Sequence, residues 1–230
     1  MSYKNPQAFL VDMDGTMVDS EKFWVKSEAE VVSRYGKVMP EELSLKLIGT
    51  SAKQLGKTIV EYLDIDVDSD RITEEIIECV ENKMLSESLE WRPGAKELLI
   101  YANKNEIPIV LVTSSHSRLA KIFVEKAKKI DGKGFNFYIA GDHVQYPKPN
   151  PQPYEIAAEK LGVDISQCII LEDSNSGIKA GASSGGRTVA IPFMGKLEHI
   201  ENISWVKSIK DLTPERIDII LSGENIDLLS

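Results

Sequence analysis

Positive charge is scarce in this sequence: 27 lysines and arginines face 36 aspartates and glutamates, leaving a formal net charge of -9. A balance of that sign works against unaided binding to nucleic acid or to an anionic membrane, since both need cationic side chains to offset phosphate. Neither is expected as a partner. A small anionic ligand stays open, because it needs only a local positive pocket. Long apolar runs are missing too, none approaching the ~20 residues that span a bilayer. There are two cysteines, Cys79 and Cys168, in different segments and without paired-motif spacing. That excludes a disulfide framework and fits buried thiols in a reducing compartment. The start, Met1-Ser2-Tyr3-Lys4-Asn5-Pro6, has no leader pattern and runs almost at once into an apolar segment. A cytoplasmic, soluble protein is the expectation, with a monomer as the default. His143 and His199 stand in no motif, and His116 reads as a surface or substrate-contacting residue. No internal repeat or low-complexity tract is present.

What is present is a core-forming apolar fraction, 42% of 230 residues, enough for one large domain or a domain with an insertion. Ala8–Val11 reads as a short buried strand. From Ser20 to about Ser88 the apolar residues recur at helical spacing, as in Ile72, Ile76, Ile77, Val80 and Met84. This stretch predicts a helical block, punctuated by Pro40 and Gly49. After Trp91-Arg92-Pro93-Gly94, helix and strand alternate. Helices are predicted over Ala95–Lys104, Ser117–Lys129, Pro151–Leu161, Gly177–Ser184 and Pro214–Leu221. Strands are predicted over Ile107–Thr113, Phe135–Ala140, Cys168–Leu171, Thr188–Pro192 and, more weakly, Ser204–Val206. Such alternation predicts an α/β fold: a Rossmann-like parallel sheet with helices on both faces. The helical block becomes an inserted α-helical cap. The expected division is a core of residues 1–18 and 91–230 with a cap of residues 19–90.

In such a sheet, ligands bind beyond the carboxyl ends of the strands. Asp12 and Asp14, Thr113-Ser114-Ser115, and Glu172-Asp173 all fall at such ends, and the loop carrying Lys148 follows another strand. Asp12 and Asp14, two residues apart, fall on one side of an extended chain.

Four segments in this order, V-D-M-D-G-T, L-V-T-S-S, Y-P-K-P-N-P and I-I-L-E-D-S-N-S-G-I-K-A-G, resemble the motifs of the haloacid-dehalogenase superfamily. The resemblance covers the whole chain. It implies phosphoryl transfer through an aspartyl-phosphate, with Asp12 as nucleophile and Asp14 as the acid/base that protonates the leaving oxygen and later deprotonates water. It implies Mg²⁺ as cofactor, held by Asp12, the backbone carbonyl of Asp14, Glu172 and Asp173, a sparse oxygen set of the kind this ion accepts. Thr113, Ser114 and Ser115 would meet the phosphoryl oxygens beside the N-terminus of helix Ser117–Lys129. Lys148 would neutralise charge on phosphate and on Asp12. Gly15 permits the turn after the aspartates, and Thr16 fixes it.

Asp14 sets the branch. Superfamily members that cleave carbon–halogen bonds lack this second aspartate, because a halide leaves without a proton, whereas an alkoxide needs one. The phosphonate-cleaving branch lacks it as well. The cap sequence L-I-G-T-S-A-K-Q-L resembles the specificity segment of the β-phosphoglucomutase-like subgroup. Mutases carry an arginine where this chain has Ala52, next to Lys53, and a histidine where it has Trp24. Asp19 followed by S-E-x-x-W instead resembles the sugar and hexitol phosphatases of that subgroup. The expected function is Mg²⁺-dependent hydrolysis of a small sugar or polyol phosphate, a phosphorylated metabolite. Trp24, Gly49 and Lys53 are the candidate substrate contacts in the cap. The alternatives are a phosphosugar mutase and a non-catalytic phospho-ligand scaffold.

Overall fold

In a computed structural model, which describes residues 4–48, 50, 52–194 and 197–229, six strands form one parallel sheet. The chain begins with β1 (Ala8–Val11), a two-residue strand β2 (Val18–Asp19), and helices α1 (Glu21–Arg34), α2 (Glu41–Leu47), α3 (Ala52–Leu63) and α4 (Ser69–Ser86). It returns through β3 (Glu90–Trp91) and continues as α5 (Ala95–Lys104), β4 (Ile109–Val112), α6 (Ser117–Asp131), β5 (Phe137–Ile139) and α7 (Gln152–Leu161). It closes with β6 (Cys168–Glu172), α8 (Asn175–Ser184), β7 (Arg187–Ala190), β8 (Ser204–Trp205) and α9 (Pro214–Ser222). The sheet order is β5-β4-β1-β6-β7-β8, every pair parallel. β1 is therefore central, and the strand order runs outward from it in both directions. That point, at the carboxyl end of β1, is where a sheet of this kind opens a crevice.

Strand alternation sorts the core onto two faces. Phe9, Val11, Ile109, Leu111, Ile169 and Leu171 join the apolar cluster that includes α5, α6 and the inserted helices. Ala8, Leu10, Val110, Val112, Cys168 and Ile170 face Tyr154 and Ala157 of α7 and Ala180 of α8. Both faces are covered, so the strands read as unbroken apolar runs rather than as alternating ones.

The inserted helices leave and rejoin the sheet domain at one place. β2 and β3 pair antiparallel, Val18 with Trp91 and Asp19 with Glu90, so the outgoing and returning chains are tied together. Neither strand is legible beforehand, since two residues carry no periodicity. Within the insertion, Asp68 caps α4 by accepting from the amides of Asp70 and Arg71. Arg118 of α6 pairs with Glu74 and Glu81 of α4 across the junction.

Element ends shift slightly from the sequence expectation. The strand predicted over Ile107–Thr113 is paired over Ile109–Val112, because Pro108 has no N–H to give the ladder. Helix α8 starts two residues earlier than predicted, at Asn175, because the Ser174 hydroxyl accepts from the Gly177 amide and fixes the first turn. Among the described residues, no helix is long and apolar enough to cross a membrane. Both cysteines are free and buried.

Candidate active site

The carboxyl ends of β1, β4 and β6 bring Asp12, Thr113 and Asp173 to one cavity of about 550 Å³. Its floor also holds Asp14, Gly15, Ser114 and Ser115, and its far wall comes from the inserted helices. Asp12 continues β1, its amide donating to the carbonyl of Leu171 at 3.0 Å. Gly15 turns the chain at once, with φ +82°, a left-handed conformation costly for side chains. A Cβ at Gly15 would stand 2.0 Å from Asp173 Oδ2, so the turn can press against that carboxylate only as glycine. Thr16 then donates to Asp173 Oδ1 at 3.1 Å, joining the first motif to the last.

The two aspartates have different surroundings. Asp12 Oδ1 accepts from Lys148 Nζ at 2.7 Å, and the ammonium also donates to the Val112 carbonyl at 2.8 Å and to Glu172 Oε1 at 2.5 Å. Among the described residues, the side chains that donate to Asp14 are neutral: the hydroxyl of Ser20, Ser115 Oγ at 2.6 Å, Trp24 Nε1 at 3.4 Å and, at the limit of contact, Thr113 Oγ1 at 3.5 Å. Thr113 Oγ1 also accepts from the Ser115 amide at 3.0 Å, holding the loop that presents both hydroxyls.

Burial decides the electrostatics here. Asp12 is pushed up to about 8, first by burial, with Lys148 pulling it down and Glu172 and Asp14 raising it. Asp173 is raised well above the ordinary carboxylate range by burial and by Asp12 and Glu172. For Lys148, burial works against the charge, but the carboxylates of Asp12 and Glu172 outweigh it and hold its pKa above the usual lysine value. Tyr154, whose hydroxyl donates to Glu172 Oε1, is raised by burial and then by Glu172 and Asp12.

One oxygen each from Asp12, Glu172 and Asp173 lies within 4.8 Å of the others, all three residues buried. Three acids against one ammonium leave a charge excess that a divalent cation would offset, and oxygen-only donors suit Mg²⁺. Asp12 and Asp173 line the cavity; Glu172 is fully buried behind it, its Oε1 held by Lys148 and Tyr154. Gly177 leaves room for that carboxylate, since a Cβ there would lie 1.9 Å from it.

Of the expected substrate contacts, Gly15, Ser114, Ser115 and Trp24 line the cavity. Gly49 lies outside the described residues, as does the side chain of Lys53. His116 caps α6 by accepting from the Arg118 amide and is not part of the cavity wall among the described residues. Sequence reasoning misses Ser20 and Tyr154, which partner Asp14 and Glu172, and misses Glu21 and Glu28 of α1, which also line the cavity. Glu21 and Glu28 sit three before and four after Trp24, so helical spacing from that residue was the available signal.

A parallel sheet with a helical insertion and a lysine-bridged acidic site at its carboxyl edge defines an α/β enzyme. The chain belongs to the haloacid dehalogenase-like hydrolase family, whose model matches residues 9–191. It is 29% identical over 180 residues to a phosphorylated carbohydrates phosphatase of Thermotoga maritima, covering 78% of this chain and 82% of that protein. It is 29% identical over 210 residues to hexitol phosphatase A of Escherichia coli, covering 90% of this chain and 93% of that protein. Its fold resembles that of β-phosphoglucomutase from Clostridium difficile, with a TM-score of 0.78 at 23% identity over 95% of this chain and 98% of that one.

Proposed function

We propose that this hydrolase is a Mg²⁺-dependent phosphatase that hydrolyses a small sugar or polyol phosphate through a phosphorylated Asp12. The observation that carries the reading is the division between the two aspartates: Asp12 against a buried ammonium, Asp14 among neutral donors in the same cavity. An anionic nucleophile must approach an anionic phosphoester, so it needs adjacent positive charge. Lys148 supplies that at Asp12. An acid/base must change protonation state during turnover, and hydroxyl partners suit it because they can donate or accept.

In this reading Asp12 attacks phosphorus and the ester P–O bond breaks. Asp14 gives its proton to the departing alkoxide. Asp14 then takes a proton from water as the water attacks the phospho-Asp12 phosphorus, and inorganic phosphate leaves. Thr113, Ser114 and Ser115 hold the phosphoryl oxygens at the end of β4. Asp12, Asp173 and the Asp14 carbonyl would hold Mg²⁺, which when bound supplies positive charge to the phosphoryl oxygens. Glu172 meets the distance requirement for a ligand, but its bonds to Lys148 and Tyr154 favour a positioning role. Residues 19–90 would act as the cap that closes over the substrate and excludes bulk water.

The names of the relatives support a phosphorylated carbohydrate or polyol as substrate. The likeness to a mutase is one of fold. A mutase must grip a second phosphate, and among the described residues lining the cavity there is no lysine, arginine or histidine. The free buried thiols fit a cytoplasmic setting.

The test is phosphate release from hexose and hexitol phosphates with Mg²⁺, comparing the natural chain with Asp12→Asn. Release that survives the substitution would sink the Asp12 mechanism. Isomerisation of a hexose 1-phosphate, dependent on a bisphosphate activator, would select the mutase instead. Metal-dependent binding without turnover of any phosphoester would select the scaffold.

A further inference from the structure

Glu28 is out of place for a structural residue. The buried stripe of α1 runs Phe23, Ser27, Glu28, Val31 and Val32, so a carboxylate occupies a position where helix packing calls for an apolar group. Glu28 is 3% exposed, lines the cavity, and its Oε2 has no hydrogen-bond partner among the described residues. Leu47, Ile48 and Leu55 line the same cavity. A buried carboxyl group without a partner costs about 1–3 kcal/mol or more, so a retained one asks for a partner from outside the fold.

Its place along α1 says which part of a ligand it would meet. The helix starts beside Asp14, to which Ser20 and Trp24 both donate. Glu28 lies one turn past Trp24 on the same face, about 6 Å further along the axis, and about 10 Å past Glu21. α1 thus runs from the acid/base end of the cavity toward Glu28. We infer that Glu28 is a substrate-reading residue, its buried carboxyl group hydrogen-bonding a hydroxyl of the leaving group at the end remote from the phosphate.

The assignment rests on the phosphatase reading and names the part of the substrate it selects. A second phosphate or carboxylate at that end would find no cationic side chain among the described residues that line the cavity. Burial, then Glu21, pushes Glu28 up to about 8, so near neutrality it carries a proton and can both donate and accept, as a hydroxyl does. With Glu28 about 10 Å past Glu21 along α1, a three-carbon leaving group is expected to fall short of it and a five- or six-carbon sugar or alditol to reach it.

The experiment compares Glu28→Leu and Glu28→Gln with the natural chain on glucitol 6-phosphate, glycerol 3-phosphate and p-nitrophenyl phosphate, with Mg²⁺. The ratio of kcat/KM for glucitol 6-phosphate to that for p-nitrophenyl phosphate is expected to fall about 10–100-fold in Glu28→Leu, the loss of one buried hydrogen bond, and less in Glu28→Gln. The ratio for glycerol 3-phosphate should move less. A parallel fall on all three substrates, an unchanged ratio, or failure of both variants to fold would overturn the assignment. So would a preference of the natural chain for an aminohexose phosphate that Glu28→Gln abolishes, which would make the partner an ammonium. If the natural chain turns over no phosphoester, the phosphatase reading fails by itself, and melting temperatures still test Glu28. Glucitol 6-phosphate should then stabilise the natural chain beyond inorganic phosphate, and Glu28→Leu should remove that excess; an equal excess in both proteins overturns the assignment.

Discussion

Lys148 Nζ stands 2.7 Å from Asp12 Oδ1, and the two residues are 136 positions apart in the chain. The same ammonium reaches Glu172, so one buried cation serves two buried carboxylates. Tyr154 donates to Glu172 from the other side and lies under the lysine, 5.1 Å from ring centre to Nζ. The group that neutralises Asp12 is thereby fixed from the back of the site, buried behind the cavity wall, while Asp12 itself lines the cavity.

Removing that cation has two consequences. In Lys148→Met, Asp12 and Glu172 stay buried without an opposite charge. Stability at neutral pH without Mg²⁺ is expected to fall by about 3–5 kcal/mol, the usual cost of breaking a buried pair from one side. Phosphate release should fall by about 10³-fold or more, since positive charge at the phosphoryl group is lost. Denaturant unfolding and a release assay read the two effects separately. A variant as stable and as active as the natural chain would contradict the arrangement.

Gly15→Ala tests the contact between the first and last motifs. The new Cβ would need a left-handed backbone and would overlap Asp173 Oδ2. Asp173 must then move, and with it one of the two acids proposed to hold Mg²⁺. The expectation is a loss of about 1–3 kcal/mol of stability together with weaker Mg²⁺ binding. Gly36→Ala is the control: it also has positive φ but nothing within 4 Å of its Cβ position, so Mg²⁺ binding should not change. Calorimetric Mg²⁺ titration of the two variants separates metal affinity from stability.

These contacts explain how far the sequence could be read. The buried strands are short apolar runs that stop at an acid or a hydroxyl, and Asp12, Thr113 and Asp173 declare themselves by standing just past them. The alternation of helix and strand then makes the sheet parallel and places those ends together. Tyr154 carries no such mark. It sits within the buried face of α7, where an aromatic reads as core, and only the return of α7 against β1 and β4 brings its hydroxyl to Glu172. Ser20 looks like a helix cap, yet it makes no side-chain cap bond and donates to Asp14. Glu28 reads as a charge on a helix until packing shows which face is buried. What was missed depends on side-chain direction across the sheet domain and the insertion, which one chain's periodicity does not carry.

Mg²⁺ binding should be pH-dependent in a stated direction. Burial and like charge favour protons on Asp12, pushed up to about 8, and on Asp173. A cation has to displace those protons, so affinity rises with pH until the acids are ionised without it. The stabilisation by a fixed concentration of Mg²⁺ is expected to be larger at pH 8 than at pH 6, and chelation should abolish phosphate release. Thermal melts with and without Mg²⁺ across that range check this. An increment that shrinks as pH rises would count against the acidic cluster as the metal site.

Glu28 gives the metal-free protein a pH dependence of its own. Its pKa stands near 8 in the folded chain against 4.5 when solvated, with burial as the first cause and Glu21 the second. Below 4.5 both states hold the proton, and Glu28 contributes no pH dependence. Between 4.5 and 8 the folded state keeps a proton that the unfolded state has released, so stability falls as pH rises through that window and levels off above it. Glu21, raised to about 7 by burial and by Asp14 and Asp19, adds a slope of the same sign over a narrower range. Glu28→Leu removes the larger of the two contributions. Its melting temperature without Mg²⁺ should exceed that of the natural chain at pH 7.5 by a margin that narrows toward pH 5. If the two curves run parallel from pH 5 to pH 8, Glu28 does not pass from an ionised unfolded state to a protonated folded one, and its burial in the cavity wall is misplaced.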